Sequence, residues 1–211
     1  MERLGQRLGY LKETPSQTAG PYVHIGSNPN LVGISGIWTE DLGGSPVTPE
    51  TRGQRIVVSG RVIDGAGNPL RDALVELWQA DAAGLHSSEA ETRGRADPAF
   101  SGWGRQPTDP VTGVWRFSTV KPGRVPWRDG RLMAPHLTLW IVARGINIGL
   151  HTRLYFADEA EANAACPVLS RIEPWRAGTL VAAREGEADG VPAYRLDIRL
   201  QGEGETVFFD I

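Results

Sequence analysis

The sequence predicts an all-β fold, with a β-sandwich core, long loops, one short helix and an extended N-terminal arm. Two observations lead to this fold class. The 211-residue chain contains 26 glycines and 15 prolines, which disfavours helices because glycine raises their entropy cost and proline breaks their interior. Its apolar residues also recur in short β-branched or alternating runs bounded by turn residues, a pattern typical of strands. The hydrophobic fraction of 40% is enough for a core and excludes disorder as the main state.

We expect a single domain over residues 1–211, in which residues 1–54 form the arm and a long loop and residues 55–211 form the sandwich core. Residues 14–22 hold two prolines and one glycine among small polar residues, which favours an extended arm. Residues 26–53 are rich in Gly, Pro, Asn and Thr and predict a long irregular loop. Loops of this length usually have a function or lie against a neighbour.

The first two predicted strands follow the long loop. Residues 55–63 form a β-branched run that ends in Asp-Gly and Asn-Pro turn signals, and residues 73–80 then alternate in part. We expect these two segments to pair as antiparallel strands. Further strands are predicted at residues 114–120, 137–143 and 152–156.

The last strand and the helix have the clearest local signals. Residues 193–200 alternate cleanly, which predicts one half-buried strand. Its apolar face would consist of Tyr194, Leu196, Ile198 and Leu200. A short helix is predicted over residues 158–165, with Asp158 as N-cap and Glu161 completing a capping box.

Charge and composition exclude several functions. The net charge of −3 argues against a nucleic-acid partner, which normally requires a basic surplus. The single cysteine, Cys166, calls for no oxidising compartment and predicts a small buried residue. The N-terminus lacks the apolar stretch of a signal peptide, and no run approaches the ~20 residues that cross a bilayer. We therefore expect a cytoplasmic protein with no membrane partner.

Several segments resemble those of the intradiol ring-cleavage dioxygenases. Residues 75–84 read Val-Glu-Leu-Trp-Gln-Ala-Asp-Ala-Ala-Gly, and residues 119–123 read Thr-Val-Lys-Pro-Gly before Pro-Trp-Arg at 126–128. Specific strings also stand at residues 14–26, 143–148, 154–156 and 201–210. The resemblance covers nearly the whole chain. Within the family, the chain is similar to the alpha subunit that pairs with an iron-bearing beta subunit.

The resemblance implies a ferric ion held by two tyrosines and two histidines, since hard phenolate oxygens suit a hard trivalent ion. His86 stands where the first tyrosine is expected, and Val125 stands where the second is expected. His136 and Thr138 replace a His-x-His pair. We therefore expect four vestigial positions, no metal in this chain, and Fe(III) bound by the partner beta subunit. A new two-histidine site formed by His86 and His136 is the open alternative.

The resemblance also implies that the alpha subunit helps to shape the substrate pocket of its partner. The candidate pocket residues are Thr18, Gly20, Pro21, Tyr22 and Arg144. The substrates would be a small aromatic acid and O2, and the carboxylate of the acid suits backbone N–H groups and a forked guanidinium. Alternatively, Gly20 and Pro21 form only a turn, and Arg144 pairs with an acidic side chain at the subunit contact.

The resulting hypothesis is a non-metal-binding alpha subunit of a hetero-oligomeric intradiol dioxygenase. Such an assembly opens a catechol ring between its two hydroxyl carbons with O2. Two alternatives stay open at this stage. One is an independent intradiol dioxygenase with altered metal ligands, and the other is a non-catalytic β-sandwich binding module.

Overall fold

A computed structural model describes residues 18–20, 22–147 and 149–210. In this part the strands are β1 Arg55–Ile63, β2 Leu74–Trp78, β3 Trp103–Pro107, β4 Val114–Val120, β5 His136–Val142, β6 Leu150–Phe156, β7 Val181–Ala188, β8 Val191–Arg195 and β9 Ile198–Arg199. The short helices are α1 Val23–Ser27, α2 Ala160–Ala164 and α3 Pro174–Ala177. The predicted all-β fold class is confirmed. None of the helices in these ranges has the length and apolar character needed to cross a bilayer.

The strands follow the order β3-β2-β5-β6-β7-β8-β1-β4, and β9 pairs with β1. β7 belongs to both halves of this order, because Val181 and Ala182 pair with β6 whereas the strand from Ala183 onward pairs with β8. The chain thus forms two layers that share β7. The sheet is mixed, since β1–β8 and β6–β7 are parallel and the longer pairings are antiparallel.

One core fills the space between the layers. Alternate residues of the strands point into it, as the pleat of a strand requires. The inward set includes Ile56, Val58, Val62, Val75, Leu77, Trp115, Phe117, Leu137, Leu139, Ile141, Leu154 and Phe156. The positions between them on β5 and β6 therefore face away from this core, and that outer face carries the candidate site.

The predicted antiparallel pairing of residues 55–63 with 73–80 is wrong. β1 pairs with β4 and β8, whereas β2 pairs with β3 and β5 in the other layer. The turn at Asp64 does reverse the chain, but only one bridge, Ile63 to Pro69, follows it. The chain then crosses to the opposite layer, where the apolar residues of β2 complete the core from the other side.

The predicted strand over residues 193–200 is divided into β8 and β9. Its inward face is as expected, since Tyr194, Leu196 and Ile198 are buried. The break allows Asp197 to accept a hydrogen bond from the backbone N–H of Arg61 at 3.0 Å. β1 crosses this break closely, because a side chain at Gly60 would stand 1.8 Å from the Leu196 carbonyl oxygen.

The predicted helix is present as α2 but is shorter, and its predicted capping box is wrong. Its N-cap residue is Glu159, which makes no side-chain cap. Asp158 instead accepts hydrogen bonds from the Tyr194 hydroxyl at 2.8 Å and from Lys121 Nζ at 3.0 Å. A tertiary ion pair has thus replaced the local cap.

The predicted arm is only partly visible, because residues 14–17 and Pro21 lie outside the described residues. Thr18–Gly20 is irregular, but the extended conformation predicted up to residue 22 is wrong at Tyr22, which is the N-cap of α1. The long loop predicted over residues 26–53 is largely irregular, with one isolated bridge between Val47 and Phe100. The prediction of a buried Cys166 is confirmed.

Candidate functional site

A buried carboxylate organises the loop that carries His86. Asp81 directly follows the Trp-Gln-Ala segment at the end of β2. Its Oδ1 accepts hydrogen bonds from the backbone N–H groups of Ala83 and Leu85, both at 2.9 Å, and its Oδ2 accepts one from Asp97 at 2.8 Å. Through these three hydrogen bonds Asp81, at the start of the loop formed by residues 81–97, holds both the segment just before His86 and the end of the loop at Asp97. The position of His86 is therefore set by Asp81.

We expect Asp81→Asn to lower the free energy of unfolding by about 3 kcal/mol, because hydrogen bonds to a buried charge are strong and the new amide would face a backbone N–H. Urea denaturation at pH 7 measures this loss. Asp64→Asn is the matched control, since Asp64 accepts two similar bonds, from Ala66 and Asn68, in an exposed turn. An equal and small loss in both variants would contradict the structural role of Asp81.

Two glycines bring the His86 loop onto the loop that carries Val125. Gly84 has a φ of +81°, and a side chain there would stand 2.3 Å from the carbonyl oxygen of Arg124. A side chain at Gly123 would stand 2.4 Å from the backbone nitrogen of Gly84. The two backbones are therefore in direct contact, which only glycine permits. This contact places Val125 near His86.

β5 supplies the other two ligand positions. His136 and Thr138 lie on its outer face, because Leu137 and Leu139 between them are buried in the core. The register places Tyr155 of β6 opposite His136 and Arg153 opposite Thr138. The His136 Nδ1 atom lies 2.8 Å from the Ala134 carbonyl oxygen, and its ring centroid lies 5.5 Å from that of Tyr155.

The electrostatics of this region favour neutral side chains. Burial, helped by the positive charge of Arg153, lowers the pKa of His136 to about 4. Burial raises the pKa of Tyr155 to about 12 and lowers the pKa of His86. The His86 ring stacks on Trp78 with centroids 5.9 Å apart and planes at 7°. At neutral pH the imidazoles and the phenol are uncharged, and Arg153 is a cation close to His136.

We call His86, Val125, His136 and Thr138 the ligand-position cluster. The structure brings these positions to one end of the sandwich, but their chemistry does not fit a ferric ion. Val125 is an apolar side chain packed beside Met133 and Tyr155, and His86 is stacked on an indole. Across residues 18–20, 22–147 and 149–210, no three His, Cys, Asp or Glu side chains are grouped as metal ligands. The cluster offers two imidazoles and no phenolate where the resemblance implies two of each.

The arm residues meet Arg144 in a second group, which we call the arm contact. The Thr18 hydroxyl donates to the Ala143 carbonyl oxygen at 3.2 Å and accepts from the Gly145 N–H at 3.0 Å. The Arg144 Nε donates to Asp72, and the Asp72 carbonyl oxygen lies 3.2 Å from His24 Nε2. Thr18 and Arg144, both predicted as pocket residues, thus lie together, with Asp72 and His24 beside them.

Two further arm residues, Gly20 and Tyr22, are exposed to solvent. A side chain at Gly20 would meet nothing within 4 Å, and Tyr22 is 76% exposed. Pro21 lies outside the described residues. Arg144 is 71% exposed at its side chain, even though its Nε is paired with Asp72. The remaining guanidinium nitrogens of Arg144 and the Tyr22 ring therefore face outward.

The two groups lie at opposite ends of β5. His136 begins this seven-residue strand and Arg144 follows two residues after its end, so ~20 Å of strand separates them. Residues of the arm contact therefore cannot line the ligand-position cluster of their own chain.

Exposed apolar side chains concentrate in one segment of the long loop. We call residues 31–42 the apolar loop, because its outward side chains are Leu31, Val32, Ile34, Ile37, Trp38 and Leu42. Single exposed apolar residues are ordinary on soluble proteins, but a contiguous group marks an interaction surface. The Asp41 carboxylate fixes the loop by accepting the backbone N–H groups of Asn30 and Leu31 at 2.9 and 3.0 Å. The surface is therefore presented in a defined shape.

Three residues of these groups are not among the candidate site residues predicted from the sequence. Asp72 lies in a turn and Arg153 reads as an ordinary strand residue, whereas Tyr155 belongs to the shared string at residues 154–156 but was assigned no role. Nothing local marks them, because their partners are far along the chain. Arg153 reaches Met133 and Tyr155, and Asp72 reaches Arg144. Alternation along residues 152–156 does place Arg153 and Tyr155 on one face, which is the one signal the sequence contains.

Comparison with known sequences gives consistent results. A family model described as "Dioxygenase" matches residues 39–202. The chain is 51% identical over 201 residues to the protocatechuate 3,4-dioxygenase alpha chain of Pseudomonas putida, covering 95% of this chain and 97% of that one. It is 38% identical to the alpha chain from Burkholderia cepacia, with 95% and 98% covered. The beta chain from Burkholderia cepacia is 36% identical, with 74% of this chain and 68% of that one covered.

A solved structure supports the same relationship. The dioxygenase domain of a dioxygenase carbohydrate-binding protein fusion from Streptomyces sp. SirexAA-E superposes with a TM-score of 0.53 at 25% identity. The match covers 77% of this chain and 87% of that chain. Intradiol dioxygenases are known to use iron, and Val125 and Thr138 carry neither a phenolate nor an imidazole. From the family model, the relatives and the shared fold, we conclude that this chain belongs to the intradiol dioxygenase family.

Proposed function

We propose that this chain is the non-metal-binding alpha subunit of a hetero-oligomeric protocatechuate 3,4-dioxygenase. With its beta subunit, it would open the ring of protocatechuate between the two hydroxyl carbons with O2 and yield 3-carboxy-cis,cis-muconate. The observation that carries the proposal is the 51% identity to an alpha chain over 95% of this sequence. The beta subunit would bind Fe(III). We place the assembly in the cytoplasm and treat residues 1–211 as one dioxygenase-like domain.

The ligand-position cluster supports a non-catalytic role for this chain. A ferric ion in this family is expected to need phenolate donors, and Val125 offers an apolar side chain where one is required. The structure adds Trp78 stacked on His86, so that ring is held by an aromatic contact. We assign His86, Val125, His136 and Thr138 as vestigial positions.

The arm contact supports a role in the substrate pocket of the beta subunit. Its residues lie too far from the chain's own ligand-position cluster, yet Tyr22 and the outer nitrogens of Arg144 face outward. We assign Thr18, Gly20, Pro21, Tyr22 and Arg144 to that pocket. The Arg144 guanidinium would bind the carboxylate of the substrate, because its two outer nitrogens match the two carboxylate oxygens.

The contacts of Thr18 and Asp72 suggest how the pocket side chains are held. Thr18 bonds both sides of Arg144, at Ala143 and Gly145. The Asp72 carboxylate accepts a hydrogen bond from the Arg144 Nε–H group, which leaves the two outer nitrogens of Arg144 for a ligand. Within this chain Arg144 already pairs with Asp72 through its Nε, and this pairing is compatible with a bound carboxylate. The alternative that Arg144 pairs with an acidic side chain at the subunit contact stays open.

Co-expression with the beta chain is the first experiment. A soluble hetero-oligomer that cleaves protocatechuate, with iron carried by the beta chain, is the expected result. Full activity of this chain alone would instead identify an independent dioxygenase. A stable monomer that binds no beta chain would identify a separate binding module.

The apolar loop leads to a prediction about the chain without its partner. We expect the chain expressed alone to self-associate, because apolar surface that a partner normally covers is exposed to water. Sedimentation and binding of an apolar dye measure this. The double variant Leu31→Ser/Ile37→Ser should reduce both self-association and complex formation.

Val111→Ser is the matched control for these substitutions, because Val111 is 74% exposed but stands alone in the turn before β4. It should change neither property. A lone chain that sediments as a monomer and binds no dye would argue against an obligate complex. Equal effects of the loop and control substitutions would show that general surface polarity, and not this loop, controls association.

A further inference from the structure

The outer face of β5 and β6 holds a positive charge beside a position where the resemblance implies a metal ligand. Arg153 stands directly opposite Thr138 in the antiparallel register, and Tyr155 stands opposite His136. Side chains of directly opposed residues point to the same face, with Cβ atoms ~5 Å apart. The base of the Arg153 side chain therefore lies beside the position of the second missing imidazole.

The Arg153 guanidinium is held over this cluster by uncharged partners. Its Nη1 lies 3.3 Å from the Tyr155 hydroxyl oxygen and 3.4 Å from Met133 Sδ. Its Cζ lies 5.5 Å from the centroid of the Phe209 ring. Among the ion pairs formed within residues 18–20, 22–147 and 149–210, none includes Arg153. The half-buried guanidinium is thus stabilised by the phenol, the thioether and the aromatic face.

We propose that Arg153 is a built-in cation which keeps metal ions out of the ligand-position cluster. This inference rests on the proposed assignment of the chain as metal-free and adds a second cause to it. The loss of donors removes attraction for a metal, and a fixed positive charge a few ångströms away adds repulsion, which is strong where water is partly excluded.

The inference changes what is needed to recreate a metal site. Replacing the donors alone, at positions 86, 125 and 138, leaves the Arg153 guanidinium beside the new ligands. We expect that restored donors bind metal well only when this charge is removed as well. Arg153→Gln is the suitable change, because glutamine is uncharged and still carries an N–H donor for the Tyr155 oxygen.

The first test uses a minimal pair of imidazoles and Ni²⁺ as the probe. Thr138→His places two histidines on one face of β5, two residues apart. The full chain is purified in complex with its beta chain, and Ni²⁺ binding is measured by calorimetry against the background of the unaltered complex. We expect Thr138→His/Arg153→Gln to bind Ni²⁺ at least 10-fold more tightly than Thr138→His alone.

A matched control removes a different arginine from the same chain. Arg116 is exposed on β4, where it pairs with Asp189. Thr138→His/Arg116→Gln has the same net charge as the Arg153 variant and should bind Ni²⁺ no better than Thr138→His alone. Equal affinities in the Arg153 and control variants would overturn the proposal, because net charge alone would then account for the effect.

The second test restores the donors that the resemblance implies. The variant His86→Tyr/Val125→Tyr/Thr138→His is compared with and without Arg153→Gln for iron content and for visible phenolate-to-iron absorption. We expect iron beyond that of the beta chain only with Arg153→Gln. Full loading without it would overturn the proposal.

These outcomes separate this inference from the proposed function. Iron bound by the unaltered chain would contradict the metal-free assignment itself. An unaltered chain without iron, combined with no effect of Arg153→Gln on Ni²⁺ binding, would leave that assignment standing and refute only the role of Arg153. Because the Ni²⁺ test requires a single donor substitution on an outer strand face, it gives a result even where the variant with three new donors does not fold.

Discussion

Replacing Arg144 by alanine should weaken the binding of protocatechuate by ~10- to 150-fold, the range expected for loss of a charge-assisted hydrogen bond to a carboxylate. Unsubstituted catechol lacks the carboxylate, so its weaker binding should change little. The measurement is the dissociation constant or KM of each compound with the complex of this chain and its beta chain. The ratio between the two compounds is the decisive quantity, because a general loss of folding would weaken both.

Two further substitutions refine the Arg144 result. Arg144→Lys keeps the charge but loses the fork, so it should recover only part of the affinity. Arg116→Ala is the matched control, because Arg116 is also an exposed arginine paired with one aspartate, Asp189. It should leave the ratio unchanged. If Arg144→Ala dissociates the subunits, Arg144 is an interface residue; if the ratio is unaltered, residues Thr18 to Tyr22 become the next candidates.

The chain separated from its partner should hold no ferric ion after dialysis against a chelator. The reason is the donor set, since Val125 cannot coordinate and one or two neutral imidazoles cannot hold Fe(III) against water and hydroxide. Metal analysis gives the stoichiometry, and the visible spectrum reports any phenolate bound to iron. One iron per chain, with a phenolate charge-transfer band, would refute the vestigial assignment.

The same experiment tests the alternative two-histidine site. His86 and His136 are the imidazoles of the cluster, and both have lowered pKa values because burial disfavours their charged forms. Neutral imidazoles bind divalent metals, so Zn²⁺ retained after dialysis would favour that alternative. His86→Ala should then release the Zn²⁺. Retention of Zn²⁺ that is insensitive to both histidines would place the metal elsewhere.

The sequence determined the features that depend on local pattern or on the chemistry of single side chains. The β-branched and alternating runs at residues 55–63 and 114–120 became strands with these bounds, because the period of two follows from the pleat itself. The chemistry of single positions was equally evident, since no tertiary contact can make Val125 a metal ligand. The strings shared with the intradiol dioxygenases identified the family in the same way.

The tertiary structure decided the pairings, which no local pattern encodes. β1 and β2 lie in different layers although the chain between them turns back. Asp158 pairs with Lys121 and Tyr194 in place of capping its helix. Hydrogen-bond partners in a sheet are chosen by the burial of whole faces, so a segment of the right period fits several neighbours equally well until the core closes.

The site residues also divide into those that the sequence predicts and those that only tertiary contacts identify. The shared strings and the side chains at the candidate ligand positions could be read from the sequence, whereas the positions of Arg153 and Asp72 could not. Arg153 is relevant because it stands opposite Thr138, and Asp72 is relevant because it accepts a hydrogen bond from Arg144. Both depend on register between segments far apart in the chain. The sequence alone therefore determined which side chains stand at the candidate positions. Only the fold determined that Arg153 stands opposite Thr138 and that Thr18 and Arg144 lie at the other end of β5 from His136.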